Sequence, residues 1–167
     1  VSSGDSGVYG MAGLVLELLA EHDPDGTVEV EVVPGVTAVN AAASLLGAPL
    51  MTDFAVISLS DLLTPWETIE KRLEGAGLGD FVVALYNPRS KKRIDHLNRA
   101  CEILSKYRPG ETPVGIVRNG LRPGQEIELT TLADAPAREV DMMSVVIIGN
   151  RLTKVLGNRM VTPRGYS

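Results

Sequence analysis

The stretch that decides the fold is DFVVALYNPRSKKR, residues 80–93. Residues 80–86 hold a continuous apolar run, which is typical of a strand that is buried on both faces. Asn87-Pro88 ends this strand, because proline has no amide hydrogen for a neighbouring strand. The pattern of residues 90–107 predicts an amphipathic helix with a basic head. Its apolar face carries Ile94, Leu97, Cys101 and Leu104.

Further strands are predicted on both sides of this stretch, wherever short apolar or alternating runs are bounded by turn residues. They cover residues 28–33 (VEVEVV), 54–60, 113–117, 126–130 and 144–150. Asn119-Gly120, within RNGLRPGQ at 118–125, predicts a hairpin turn between the third and fourth of these strands.

Helical spacing of apolar residues predicts a helix over residues 11–22. Thr37 is the predicted N-cap of a second, alanine-rich helix, and Gly47 follows its end. TPWE, residues 64–67, predicts a capping box that starts a third helix with Pro65 at its first position. Strands and helices alternate through the first two thirds of the chain, and strands predominate in the last third. We therefore expect an α/β fold with a mixed β-sheet and flanking helices.

Composition restricts the function classes. The 167-residue chain has a net charge of −5, which argues against general nucleic-acid binding. No apolar run approaches the roughly 20 residues of a membrane-spanning helix, and we find no secretion signal. With one cysteine, Cys101, and two histidines we expect neither an internal disulfide nor a His/Cys metal site. These features favour a cytoplasmic protein.

Two short motifs could bind a ligand or be ordinary turns. SSGDSGVYG, residues 2–10, places glycines and hydroxyl residues between a strand end and a helix, where backbone groups can approach a ligand. It matches neither GxGxxG nor a P-loop, and Asp5 could instead be an N-cap. PGVTA, residues 34–38, could be a hinge, a ligand-facing helix start or a strand exit.

The basic residues after the quoted strand could bind carboxylates or form a solvated cationic face. They are Arg89, Lys91, Lys92 and Arg93. We expect His96 and His22 to be surface residues, and Cys101 to be inert core.

Taken together and in order, the motifs resemble the tetrapyrrole (corrin/porphyrin) methyltransferases. GD…G and PGVTA belong to the wider family, whereas ISLSDLLTPWE and ALYNPRSKKR resemble the subfamily that methylates C17 of precorrin-3B. VRNG, TTL, VVIIGN and MVTPRGY complete the match. Ser6 stands where the family usually has proline, which should loosen this turn.

The resemblance implies a two-lobed α/β enzyme, a homodimer, that binds S-adenosylmethionine between its lobes. On this reading residues 1–34 are a remnant of the N-terminal cofactor-binding lobe and residues 35–167 form the C-terminal lobe. The family's first strand and GPG loop have no counterpart here, so we expect a C-terminal fragment that is inactive and binds the cofactor weakly by itself.

The family's cofactor contacts can be carried over residue by residue. They fall on Ser3, Gly4, Asp5, Val8, Thr37, Ala38, Tyr86, Gly120 and, as a weaker candidate, Thr131. The substrate of such an enzyme is a polycarboxylate, so Arg89, Lys91, Lys92 and Arg93 are candidates for docking it.

The expected reaction is methyl transfer to C17 of precorrin-3B with ring contraction, in cobalamin biosynthesis. An activated methyl group needs mainly proximity and orientation, so no metal or nucleophilic side chain is required. Asp5, Asp53 and Asp61 are conceivable acid/base groups, and no catalytic residue is assigned. The alternatives are another corrin-pathway or uroporphyrinogen-III methyltransferase, or a non-catalytic binding or dimerisation fragment.

Overall fold

The computed structural model describes residues 4–91 and 93–165. The chain divides into two compact units, Val1–Asn40 and Ala41–Ser167. The boundary falls inside a helix, Ala38–Leu46, and not at the Pro34-Gly35 corner that the sequence suggests.

The first unit contains the predicted helix, α1, over Ala12–His22. Asp23 closes the turn behind it, because its carboxylate accepts hydrogen bonds from the Thr27 hydroxyl (2.6 Å) and from the amide of Val28 (2.7 Å). His22 is exposed, as predicted.

The strand predicted over residues 28–33 is wrong. These residues have no strand assignment, and Val28, Val30, Val32 and Val33 are exposed. Their alternation gives a strand one apolar face, but a strand also needs a hydrogen-bonded neighbour, and the described residues supply none at this segment.

The helices of the second unit begin with α2, Ala38–Leu46, which starts directly after Thr37 and crosses the boundary between the units. The others are α3 (Trp66–Leu78) and α4 (His96–Leu104), with a 3-10 turn at Ala135–Ala137. The strands are β1 (Gly47–Ala48), β2 (Phe54–Ser58), β3 (Val82–Tyr86), β4 (Pro113–Arg118), β5 (Glu126–Thr131), β6 (Ser144–Ile148), β7 (Lys154–Leu156) and β8 (Arg159–Val161).

A five-stranded sheet in the order β2-β3-β6-β4-β5 forms the centre of this unit. β2 and β3 are parallel, and the other neighbours are antiparallel, so the predicted mixed sheet is confirmed. Both β3 and β4 pair antiparallel to β6, so they run in the same direction. The carboxyl ends of β2, β3 and β4 therefore meet at one edge, which we call the carboxyl edge.

The core lies between this sheet and helices α3 and α4. Leu73 of α3, Leu97 and Leu104 of α4, and Leu85 of β3 are fully buried in one cluster. Cys101 is buried there as predicted, and burial raises the pKa of its thiol to about 12, so it stays a neutral core residue. None of the described helices is long and apolar enough to cross a membrane.

Three details of the secondary structure differ from the predictions. Pro65 occupies the N-cap of α3 and no side chain caps it, so the capping box is absent. α4 begins at His96 because the backbones of Ser90 and Arg93 bond to each other in a tight turn. The β7–β8 hairpin was not predicted, although the Gly157-Asn158 pair between its strands is a turn-forming dipeptide.

Alanine substitution at two glycines of α3 should change the stability of the protein in opposite directions. A Cβ at Gly75 would meet nothing within 4 Å, whereas one at Gly77 would overlap the ring of Tyr107. We expect Gly75→Ala to raise the free energy of unfolding by about 0.5–1 kcal/mol, because alanine loses less backbone entropy. Gly77→Ala should lower it by about 1–3 kcal/mol through overpacking. Urea denaturation measures the free energy of unfolding of both variants. Changes of the same sign in the two variants would contradict the packing described.

Candidate functional site

The loop at residues 4–10 is organised by the carboxylate of Asp5. The amides of Gly7 (2.8 Å) and Val8 (2.9 Å) donate to its Oδ1, and the amide of Gly35 (2.9 Å) donates to Oδ2. The Gly35 bond is the largest cause that lowers the pKa of Asp5 below its ordinary value of 3.8, and the other two amides add to it. Asp5 thus ties the first ligand motif to the second within the first unit.

Glycine is required where these two motifs meet. Gly4 has a φ of +75°, in the left-handed region that favours glycine. A Cβ on Gly35 would overlap the carbonyl oxygen of Gly4. The hydroxyl of Ser6 lies 3.3 Å from the carbonyl oxygen of Val33 and donates to it, a bond that proline could not make.

The arrangement fits a cofactor that carries positive charge. Asp5 does not cap α1, since α1 begins at Ala12 with Met11 as its N-cap. Asp5 is half-buried and its carboxylate is held ionised, and Oδ2 accepts one hydrogen bond among the described residues, so it has a lone pair for a further donor. Val8 is exposed beside it. Ser3 lies outside the described residues.

Thr37 and Ala38 lie at the start of α2. Thr37 is half-buried, its carbonyl oxygen accepts the amide of Asn40 (3.0 Å), and Ala38 is exposed. They follow Gly35 by two and three residues, so the Asp5 bond holds the segment that leads into them.

The candidate contacts of the second unit fall at two edges of the sheet. Tyr86 ends β3 and Gly120 follows β4, so both belong to the carboxyl edge. Thr131 pairs with Pro113 at the other end of β4 and lies at the opposite edge. Its hydroxyl donates to Asp134 Oδ2 (3.1 Å). The structure therefore does not bring Thr131 to Tyr86 and Gly120.

The basic segment, residues 89–93, does not form one solvated face. Lys91 is exposed, but Arg93 is only 7% exposed, and Lys92 lies outside the described residues. Arg93 Nη2 lies 3.3 Å from Met142 Sδ, and its Nε is buried without a hydrogen-bond partner. Arg89 Nη2 donates to the carbonyl of Pro136 (3.2 Å), and its Nε is also unpartnered.

Within the described part of the chain, no carboxylate forms an ion pair with Arg93. A buried guanidinium that contacts no carboxylate is costly, and a thioether sulfur is a weak acceptor. Arg93 is therefore a candidate site for an anionic ligand group.

His96 was predicted to be a surface residue, and that prediction is wrong. Its side chain is 12% exposed, and Nε2 lies 3.0 Å from Asp61 Oδ2. Asp61 follows β2 and His96 begins α4, the helix after β3. One hint was visible in the sequence, because both residues follow strands whose parallel pairing brings their ends together.

The comparison with known proteins decides the family. The model of the Tetrapyrrole (Corrin/Porphyrin) Methylases matches residues 1–136. The chain belongs to this family. The resemblance predicted from the motifs is thereby confirmed.

Among relatives of this methylase, a probable cobalt-factor III C(17)-methyltransferase of Salmonella typhimurium is 56% identical over 167 residues, which are 100% of this chain and 68% of the relative. A precorrin-3B C(17)-methyltransferase of Sinorhizobium sp is 42% identical over 173 residues, covering 100% of this chain and 68% of the relative. The crystal structure of the methyltransferase CobJ matches with a TM-score of 0.91 and 43% identity, over 98% of this chain and 68% of that one. The predicted fold class is confirmed.

The Asp5 bonds predict how this loop responds to substitution and pH. Asp5→Asn leaves a side-chain NH₂ that cannot accept the Gly35 amide, so we expect faster amide hydrogen exchange at Gly7, Val8 and Gly35 at pH 7. Because folding lowers the pKa of Asp5, its stabilising effect is present above the unfolded-state pKa, about 4, and is lost as the pH falls through the lowered folded-state pKa.

NMR-detected exchange measures this effect across that pH range. Asp25→Asn, at an exposed turn position of the same unit, is the matched control and should leave the three amides unchanged. Equal exchange in Asp5→Asn and the parent at pH 7 would contradict the role assigned to Asp5.

Proposed function

We propose that this protein transfers a methyl group from S-adenosylmethionine to C17 of a precorrin-3B-type tetrapyrrole, with ring contraction, in cobalamin biosynthesis. The observation that carries the proposal is 56% identity, across the whole chain, to a relative named for C17 methylation. The motifs ISLSDLLTPWE and ALYNPRSKKR support the same subfamily. The relatives' names leave two substrate forms, with cobalt and without it.

The family's cofactor contacts are assigned for each unit by itself. In the first unit we assign Ser3, Gly4, Asp5, Val8, Thr37 and Ala38, and in the second Tyr86 and Gly120. When bound, the cofactor supplies a methyl group already activated by its sulfonium charge. The ionised carboxylate of Asp5 complements positive charge, and the Gly4–Gly35 approach leaves backbone groups uncovered by side chains.

The basic segment would dock the substrate's carboxylates. Arg93 supports this role most strongly, because its buried guanidinium meets only the Met142 sulfur among the hydrogen-bond partners described. A substrate carboxylate would supply a charge-assisted hydrogen bond that this guanidinium lacks among the described residues. Arg89, Lys91 and Lys92 flank this position in sequence and would add positive charge.

The reaction assay uses the full-length protein, a methyl-labelled cofactor and precorrin-3B or its cobalt form. NMR of the product should place the new methyl group on C17. A methyl group at C11 or C20, or on uroporphyrinogen III, would replace the proposed substrate with another member of the family's range. Failure to transfer methyl to any of these macrocycles, with binding retained, would favour a non-catalytic role.

Substitution of Arg93 should affect the stability of the protein and its binding of substrate differently. Arg93→Met keeps side-chain length and removes the buried charge, so the protein should be equally or more stable. The KM for the tetrapyrrole should rise about tenfold or more, as expected for the loss of one charge-assisted hydrogen bond. Steady-state kinetics and thermal unfolding measure the two effects.

Arg72→Met is the control, because Arg72 is exposed on α3 and is not part of the basic segment. It should leave the KM unchanged. A destabilised Arg93→Met variant with an unchanged KM would make Arg93 a structural residue.

The proposal includes a homodimer in the cytoplasm, as the family resemblance implies. Light scattering of the purified full-length protein tests the dimer, and a monomeric mass at micromolar concentration would contradict it. Cell fractionation tests the location.

A further inference from the structure

The carboxyl edge carries the carboxylate of Asp61, which lies against a neighbouring imidazole. Asp61 lies three residues beyond β2, its side chain is 36% exposed, and its Oδ2 is 3.0 Å from Nε2 of His96. Ligands of open α/β sheets bind beyond the carboxyl ends of parallel strands, and Asp61 lies beyond the end of the parallel β2–β3 pair.

His96 is held firmly and cannot itself reach a ligand. Its ring meets that of Trp66 edge to face, with centroids 4.7 Å apart and an interplanar angle of 81°. Trp66 is fixed in turn by the guanidinium of Arg99, 4.1 Å above its ring, and by Glu70, which accepts hydrogen bonds from Trp66 Nε1 and Arg99 Nη2. Both ring nitrogens of His96 are buried, so His96 acts through Asp61.

The surroundings of Asp61 suit a macrocycle with apolar faces and acidic substituents. Leu62 is 76% exposed and Leu63 98% exposed, directly after Asp61, and Ile94 is 60% exposed, two residues before His96. Contact with His96 is the main cause that lowers the pKa of Asp61, and the nearby charge of Arg93 adds to it. An ionised carboxylate, a buried cation and uncovered leucines therefore lie along this edge.

The proposed reaction requires a proton acceptor. When a macrocycle takes a methyl group from a sulfonium, its π electrons form the carbon–carbon bond while the methyl–sulfur bond breaks and leaves its electron pair on a neutral thioether. The positive charge thereby passes from the sulfur to the macrocycle. The macrocycle returns to its starting charge when an N–H or O–H bond breaks, the electron pair stays on the macrocycle and one proton leaves.

We propose that Asp61 is the catalytic residue that accepts this proton and that His96 is the positioning residue that aims its carboxylate. The proton forms an O–H bond on Asp61 and then passes to water, which restores the carboxylate. A cationic, methylated macrocycle is acidic, so a carboxylate suffices as the base. This inference rests on the proposed function.

The first test compares Asp61→Ala with the parent in the full-length protein under the methyl-transfer assay. We expect the kcat to fall by about 100-fold or more, the range of one general base, with little change in the KM for S-adenosylmethionine. Added formate, a small carboxylate, should restore activity to Asp61→Ala in proportion to its concentration. A residue with a purely structural role would not respond in this way.

The second test concerns His96. His96→Gln keeps a hydrogen-bond donor and should lower the kcat less than His96→Phe does. In the Asp61→Ala background, either His96 substitution should have almost no further effect on the kcat. Asp95→Ala is the matched control, because Asp95 is exposed and precedes His96 directly. It should retain the parent rate and show no formate effect.

Three results would overturn the inference. They are a kcat within about threefold of the parent in Asp61→Ala, a loss of activity that formate does not restore, and independent effects of the Asp61 and His96 changes. If the parent itself transfers no methyl group to any tetrapyrrole, the proposed function fails instead. The parent assay thus separates the two failures.

Discussion

The parallel pairing of β2 with β3, continued through β6 to β4, is the constraint on which the second unit depends. Every residue of β6 is buried, so its backbone groups must be satisfied by its two neighbouring strands, β3 and β4. This arrangement makes β2, β3 and β4 run in one direction. Their following loops, which hold Asp61, Arg93 and Gly120, consequently leave the sheet at one edge.

The hydrogen-bond acceptors of two buried arginines distinguish a structural cation from a candidate ligand site. Arg108 is 4% exposed, and its Nη1 donates to the carbonyl oxygens of Phe81 and Gly149. Burial lowers the pKa of Arg108, and strong backbone acceptors offset part of that cost. Arg93 is buried to a similar degree but meets a thioether sulfur. The difference in acceptor strength is the reason to assign a ligand to Arg93 and a structural role to Arg108.

The local pattern was sufficient to predict α1, the hairpin of β4 and β5, and the buried strand β3. It failed where a partner decides the outcome. Residues 28–33 alternate like a strand but lack a neighbour among the described residues. The helix that begins at His96 was expected six residues earlier, because apolar periodicity cannot show that Ser90 and Arg93 close a turn.

Motifs and apolar periodicity are local properties of the chain, so the residues alone were sufficient to predict the family and the α/β class and to name most candidate site residues. Tertiary structure alone decided three matters: Arg93 is buried, His96 meets Asp61, and Thr131 lies at the edge opposite Tyr86. Each depends on strand order and direction. Those follow from long-range backbone pairing, which the spacing of residues along the chain does not encode.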